Sequence, residues 1–323
     1  MTVAWYVTTG EAGFRTQARG LASALADNPR ELTVDLRAPW SLLPGALAAP
    51  IAFAVLAPGS DRPAPPWPDL LVSCGRRATA VAIAVRKASE GRTLGVHVQN
   101  PLTAVSAFDL VVAMDHDGIT GPNVLNVPTA LHDVTAARLA AAAQAWRGRL
   151  AQGEGPMAGV LLGGATRHHP FTPETAEALI GGLAAMRAAG WRIAITPSRR
   201  TPEPVLAALA ARFAGDAAVY QWDRTGENPY LGILALSDRI VATSDSVSMV
   251  SEALATPHPV EVFGDDGGAR HSLFLKGLLD KGLVRRFTGD PVSAKAAGPI
   301  DSTDIAAQAV RRRLEARGEV ARG

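Results

Sequence analysis

Apolar runs of strand length alternate with helical segments from one end of this chain to the other, an order that points to parallel α/β architecture. Strands are predicted at residues 3–8, 32–35, 70–73, 94–99, 110–113 and 124–127, and a long Ala-rich helix runs from Thr135 to about Leu150. The stretch AQGEGP, 151–156, then breaks the helical pattern with glycines and a proline, and a new strand starts at Met157. Further strands are predicted at 192–196, 218–220, 239–242, 259–263 and 284–287. The intervening helices begin near Pro173, Pro202, Pro229, Ser246 and Gly268, where proline at a first turn suits a helix start. At 323 residues the chain is long enough for two domains. The expectation is two Rossmann-like halves facing one another across a cleft. Residues 1–150 form the first and 151–302 the second, and an amphipathic helix at 303–317 closes back on the first.

A charged fraction of 19% against 47% hydrophobic residues describes a globular chain rather than a disordered one. The net charge of +2 gives no bulk electrostatic argument for nucleic acid. Arginine greatly outnumbers lysine, which suits bidentate grips on phosphate, although genomic base composition produces the same bias. The single cysteine, Cys74, sits in the apolar run DLLVSC and reads as core packing. The start MTVAWYVTTGEAG enters a strand directly and shows no signal peptide, so a reducing, cytoplasmic setting is expected. Between Ala38 and Ser60 no residue is charged, but Pro44, Gly45, Pro50 and Pro58 interrupt the run. Two readings stand: short core helices, or an apolar surface that touches the inner face of a membrane or a lipid-linked acceptor.

In open parallel sheets ligands bind where strands end and loops lead into helices. The most informative such junction is IVATSDSVSMVSEALATPHPVEV, 240–262. Ser244, Asp245 and Ser246 suit a helix N-cap, the free N–H groups behind such a cap favour an anion, and Glu252 lies further along the helix. The pattern suits a nucleoside diphosphate, its pentose hydroxyls meeting the carboxylate; an ordinary well-capped strand–helix unit reads the same way. Four more loops reach the same edge. LLGGATRHH supplies Gly163, Gly164, Thr166 and Arg167, in a cradle or merely a tight turn. TPSRRTP supplies Arg199 and Arg200, and QWDRTGENPY supplies Gln221, Trp222 and Asn228. FGDDGGARH adds Asp265, Asp266, Arg270 and His271.

The first half is sparser. TTGEAGFRTQ holds Glu11 but lacks the G-x-G-x-x-G spacing and the P-loop lysine. SCGRRATA places Arg76 and Arg77 at a helix start. His97 in HVQNP, and Asp115, His116 and Asp117 in MDHDG, are candidate acid–base groups, against a surface turn for the second motif. Their spacing makes no metal site, and no metal or cofactor is expected. Neither G-x-S-x-G nor H-E-x-x-H occurs.

The segments GEAGFRTQARGLASAL, PDLLVSCGRRATAVA, FDLVVAMDHD, LLGGATRHH, TPSRRTP, WDRTGENPYLG and ATSDSVSMVSEA resemble the mitochondrial-fission family named for elongated plant mitochondria. Its bacterial members have been catalogued loosely as nucleoside-diphosphate-sugar epimerases. That family is similar in layout to GT-B glycosyltransferases, in particular to the enzyme that adds N-acetylglucosamine to the lipid-linked peptidoglycan precursor. By this resemblance Glu252 holds the ribose, Ser246 to Met249 meet the diphosphate, and Gly163 to Thr166 match the second-domain glycine loop. Gln221 and Trp222 lie near the base, and Arg270 and His271 near the donor sugar. The family's first loop usually carries histidine where this chain has Phe14, which leaves Glu11 as the candidate base there. The resemblance thus implies transfer of a sugar, most naturally from a UDP-type donor, to an unknown acceptor. Epimerisation of the nucleotide sugar, with His116, Asp117, Arg270 and His271 as acid–base groups, and a non-catalytic fission scaffold are the alternatives.

Overall fold

The computed structural model describes residues 2–165, 171–265, 267–292 and 295–320. Two compact units emerge: Met1–Asp133 with Asp301–Gly323, and Val134–Ile300. In the first, strands β1 (Ala4–Thr8), β2 (Arg30–Thr33), β3 (Leu70–Cys74), β4 (Leu94–Val98), β5 (Leu110–Met114) and β6 (Val124–Val127) form a parallel sheet ordered β2-β1-β3-β4-β5-β6. Helices α1 (Ala12–Ser23), α2 (Gly45–Ala48) and α3 (Thr79–Ala88) connect them. β1, β3, β4 and β5 are buried along their whole length, as strands covered on both faces must be. Side-chain alternation sorts each strand between two cores. Trp5 and Val7 pack with the α3 side chains, whereas Ala4 and Tyr6 pack with Leu21 of α1.

Helix α4 (Ala136–Trp146) precedes the second sheet, whose strands are β7 (Met157–Leu162), β8 (Arg192–Pro197), β9 (Val219–Gln221), β10 (Arg239–Thr243), β11 (Val260–Phe263) and β12 (Arg285–Arg286). Their order is β12-β11-β10-β7-β8-β9, again all parallel. α5 (Pro173–Ala188), α6 (Glu203–Arg212), α7 (Tyr230–Leu236), α8 (Val247–Leu254) and α9 (Ala269–Asp280) connect these strands, and α10 (Ser302–Val320) ends the chain. The alternating side chains of β7 fill two cores, Met157 and Leu161 on one face, Ala158, Val160 and Leu162 on the other. Local chemistry sets the helix starts. Thr135, Thr172 and Ser246 each accept a hydrogen bond from the N–H three residues on.

The boundary between the units falls at 133/134 rather than at 150. α4 belongs with the second sheet because Trp146, 5% exposed, seats against α7 where Gly232 leaves room. A Cβ at residue 232 would overlap the indole. Arg149 covers the ring from 4.0 Å and pairs with Glu227 at 2.9 Å. The last helix packs on the first unit. Ser302 Oγ lies 2.6 Å from Thr129 Oγ1, Thr303 Oγ1 accepts from the His132 N–H at 2.9 Å, and Ala306, Ala307 and Val310 are buried against α1 and the sheet. Arg317 reaches Asp109 at 2.7 Å, and Arg86 grips the same carboxylate at 2.9 and 2.8 Å. Burial alone would raise the Asp109 pKa, but Arg86, the Gly95 N–H and Arg317 outweigh it and hold the group below the ordinary range.

The uncharged 38–60 segment folds into short turns of helix, Trp40–Leu42, α2 and Ala49–Ile51. Ala48, Ala49 and Ala52 face the core, while Trp40, Leu42, Leu43, Leu47 and Ile51 stay exposed. One face of the segment is therefore core and the other an exposed apolar surface. Among the described residues no helix is long and apolar enough to cross a membrane.

Candidate functional site

In the second sheet the chain runs from β7 outward through β8 and β9, then returns to the other side of β7 as β10. Loops leaving β7 and β10 therefore diverge, and a crevice opens at the carboxyl ends of these two strands. A cavity of about 350 Å³ lies there. Gly164, Thr243, Ser244 and Asp245 line it, with Phe263, Gly264 and Asp265 from the β11 loop, and Phe171, Glu174, Thr175 and Ala178 from the start of α5.

Asp245 is the hub of this edge. Its carboxylate accepts from the Gly164 N–H at 2.9 Å, the Thr243 hydroxyl at 2.7 Å and the Arg200 guanidinium at 3.1 Å. The side chain is 5% exposed, so these partners offset a desolvation cost that would otherwise be several kcal/mol, on the order estimated for buried ions. The Asp245 carbonyl lies 3.2 Å from His271 Nε2 at the start of α9. Ser198 donates to the Gly163 carbonyl at 2.7 Å, and Thr201 donates to the same oxygen. The glycine pair has a steric reason: a Cβ on Gly163 would meet the Asp245 carboxylate, and one on Gly164 the Arg200 main chain.

The expected site residues are distributed as follows. Gly163 and Gly164 lie at the crevice, but their N–H groups already serve Thr243 (2.7 Å) and Asp245, so they shape the loop rather than offer open donors. Thr166 lies outside the described residues, as do Arg167 and Asp266. Arg199 and Arg200 are both exposed on the β8 loop. Ser246, Val247, Ser248 and Met249 are half-buried at the start of α8, where the Ser246 hydroxyl takes the Met249 N–H at 3.3 Å. Glu252, also half-buried, accepts from the Tyr230 hydroxyl of α7. On the β9 loop the Gln221 amide donates to the Leu206 carbonyl at 3.1 Å and the Trp222 indole N–H to the Thr225 carbonyl at 2.7 Å. Asn228 caps the α7 start by accepting the Tyr230 N–H at 3.0 Å. Arg270 is exposed in the first turn of α9, next to His271. Asp245 does more than the capping expected of it, and Tyr230 joins the site with no local sequence signal. Asp245 stood in the quoted S-D-S turn, but its partners lie up to 81 residues away.

In the first unit the strand order reverses between β1 and β3, and the corresponding edge carries Glu11. Arg77 bridges Glu11 (3.0 Å) and Asp35 (2.6 Å), and the Thr9 hydroxyl donates to Glu11. Partial burial would raise the Glu11 pKa, but the Thr9 hydroxyl, its own N–H and Arg77 lower it on balance, so the group is ionised at neutral pH. Phe14 packs its ring against Gly75, where a Cβ would come within 2.8 Å of it. His116 and Asp117 sit in a short turn after β5, their side chains only 5% and 2% exposed, and the Asp117 carboxylate takes the Met114 N–H at 3.1 Å. That bond closes the turn, which gives Asp117 a structural task. His97 is wholly buried in β4, its Nδ1 2.9 Å from Ser73 Oγ, and burial pushes its pKa down to about 3. A ring held neutral inside the core makes no acid–base group. Among the described residues no cluster of His, Cys, Asp and Glu could hold a metal.

Two Rossmann-like units, each with a parallel six-stranded sheet and polar loops at the carboxyl edge, define an α/β protein with a GT-B-like fold. The pattern describing mitochondrial fission ELM1 matches residues 12–314, and the chain belongs to that family. It is 31% identical over 277 residues to the mitochondrial fission protein ELM1 of Arabidopsis thaliana, covering 78% of this chain and 65% of the relative's length. Among solved structures, UDP-GlcNAc 2-epimerase from Methanocaldococcus jannaschii, in complex with UDP-GlcNAc and UDP, superposes with a TM-score of 0.54 at 12% identity, covering 98% of this chain and 100% of that one. MurG of Acinetobacter baumannii gives 0.50 at 12%, covering 97% and 91%. At such identities the likeness establishes the fold alone.

Proposed function

We propose that the second unit binds a nucleoside-diphosphate sugar, of UDP type, and that the protein transfers the sugar to an acceptor held by the first unit. The observation that carries the reading is the cavity at the β7/β10 reversal, bounded by the loop that leads into α8. In this reading the first-turn N–H groups of α8 that the Ser246 cap does not use, Val247 and Ser248, take the diphosphate, with Arg199 and Arg200 as counter-charges. Glu252, steadied by Tyr230, accepts hydrogen bonds from the ribose hydroxyls. The base lies by Gln221, Trp222 and Asn228, and the sugar occupies the cavity beside Arg270 and His271. Chemistry then needs a base for the acceptor hydroxyl and stabilisation of the leaving diphosphate. Glu11 accepts the hydroxyl proton, the oxygen bonds to the anomeric carbon, and the bond to the diphosphate breaks with its electron pair leaving on UDP.

The exposed side chains of Trp40, Leu42, Leu43, Leu47 and Ile51 support a lipid-linked acceptor and peripheral membrane contact at the cytoplasmic face. Arg76, which donates to the Leu42 carbonyl at 2.7 Å, adds a cation beside them. Flotation with anionic vesicles tests this part. Binding lost in Leu42→Glu/Leu47→Glu is expected, and no binding by the unaltered protein overturns it.

Titration of the purified protein with a panel of nucleotide sugars, repeated with Glu252→Ala, tests the core of the proposal. Binding of at least one UDP-sugar, weakened at least about tenfold in the variant, is expected from loss of a charged hydrogen-bonding group. No binding, or binding indifferent to the substitution, overturns it. Epimerisation ranks second because burial of His116 and Asp117 leaves that reading short of acid–base groups. Product formed from nucleotide sugar without acceptor would reverse the ranking. Partner capture from lysate that is unaffected by nucleotide, with no turnover, would favour a scaffold.

A further inference from the structure

We infer that Asp245 is a positioning residue for the bound diphosphate: it fixes the Arg200 guanidinium at the cavity and ties that arginine, the glycine loop and the start of α8 into one rigid assembly. The inference rests on the nucleotide-sugar reading above and names a residue that reading does not use. Three loops meet on this carboxylate. Oδ2 accepts both the Gly164 N–H (2.9 Å) from the β7 loop and Arg200 (3.1 Å) from the β8 loop, and Oδ1 accepts Thr243 (2.7 Å) at the end of β10.

The charge itself is the informative feature. A neutral amide could meet both of these partners, its oxygen accepting the Gly164 N–H and its NH2 donating to the Thr243 hydroxyl oxygen, and burying a carboxylate for those two alone would be costly. Arg200 is the partner that needs the charge, and its side chain is half exposed beside a nearly buried acid. An arginine so placed would otherwise spread over many rotamers, and ordering it in advance lowers the entropy lost when a ligand binds. Asp245 engages one guanidinium nitrogen, which leaves further donors of the planar fork for a phosphate. The arginine also neutralises Asp245, which directly precedes the α8 cap and would otherwise repel an anion at that helix start.

The experiment compares binding of uridine, UMP and UDP to the unaltered protein, Asp245→Asn, Arg200→Ala and the double variant by calorimetry, with thermal unfolding of each. Asp245→Asn is near-isosteric, its amide oxygen accepting the Gly164 N–H while its NH2 donates to the Thr243 hydroxyl oxygen; Arg200→Ala removes an exposed side chain, so a folded variant remains if one fails. UDP binding about tenfold weaker in each single variant is expected, with uridine unchanged and the double variant no worse than the singles. Equal losses for uridine and UDP, or additive losses in the double variant, would mean a purely structural part for Asp245 and overturn the inference. UDP affinity in Asp245→Asn within twofold of the unaltered protein overturns it too. If the unaltered protein binds none of the three, the nucleotide reading fails, and the inference with it.

Discussion

A methyl group added at Gly164 tests the geometry of the candidate site without reference to any ligand. A Cβ there would collide with the carbonyl and Cβ of Arg200, and two of the three nearest atoms are main chain, which no rotamer change can move aside. Overpacking of this kind costs about 1–3 kcal/mol, and a backbone obstacle puts Gly164→Ala near the top of that range. Displacement of the loop also strains the N–H bond to Asp245, worth about 1 kcal/mol more. A total of about 4 kcal/mol corresponds to a melting temperature lower by about 8–16 °C for a unit of this size. Gly181 is the matched control. It lies inside α5 with nothing within 4 Å of a would-be Cβ, so Gly181→Ala should stabilise by about 0.5–1 kcal/mol through helix propensity. Calorimetry and urea unfolding followed by tryptophan fluorescence measure both. Gly164→Ala melting within about a degree of the unaltered protein would refute the close approach of the β7 and β8 loops.

Three further outcomes are expected. Asp109→Asn should destabilise the first unit by about 2 kcal/mol at neutral pH, the low end for charged hydrogen bonds because Arg86 and Arg317 are partly exposed. Since the folded state lowers the Asp109 pKa from its usual 3.8, this stabilisation is complete above that value and fades as pH falls through the folded pKa. Unfolding curves of protein and variant should therefore converge in acid; a constant gap would contradict the ion-pair account. Tyr230→Phe, which removes only the hydroxyl that meets Glu252, should weaken UDP binding about five- to tenfold without altering melting, measured by calorimetry. Cys74, wholly buried with its thiol pKa raised by that burial, should resist an aromatic disulfide reagent until urea unfolds the chain.

What could be read from the sequence follows the range of the interactions involved. Strands covered on both faces are continuous apolar runs, so LLVSC and RIVAT announced themselves. Helix starts at Thr135, Thr172 and Ser246 rest on bonds spanning three residues, and these too were legible. The unit boundary was not, because the membership of α4 depends on Trp146 meeting Gly232, 86 positions away, whereas the local glycine and proline signals all point to the AQGEGP turn. The candidate site divides in the same way. Its loops were found because every parallel strand delivers its loop to one edge. Cradle and tight turn could not be told apart for Gly163 and Gly164, because the groups that crowd them, Asp245 and Arg200, come from other strands.

The proposed ligand is a uridine diphosphate lying against the amino end of α8 with its ribose at Glu252. Crystals grown with the nucleotide test it most directly. Electron density is expected for the diphosphate beside Val247 and Ser248 and for the ribose hydroxyls within hydrogen-bond reach of the Glu252 carboxylate. Density elsewhere on the protein, or none at saturating nucleotide, would contradict it.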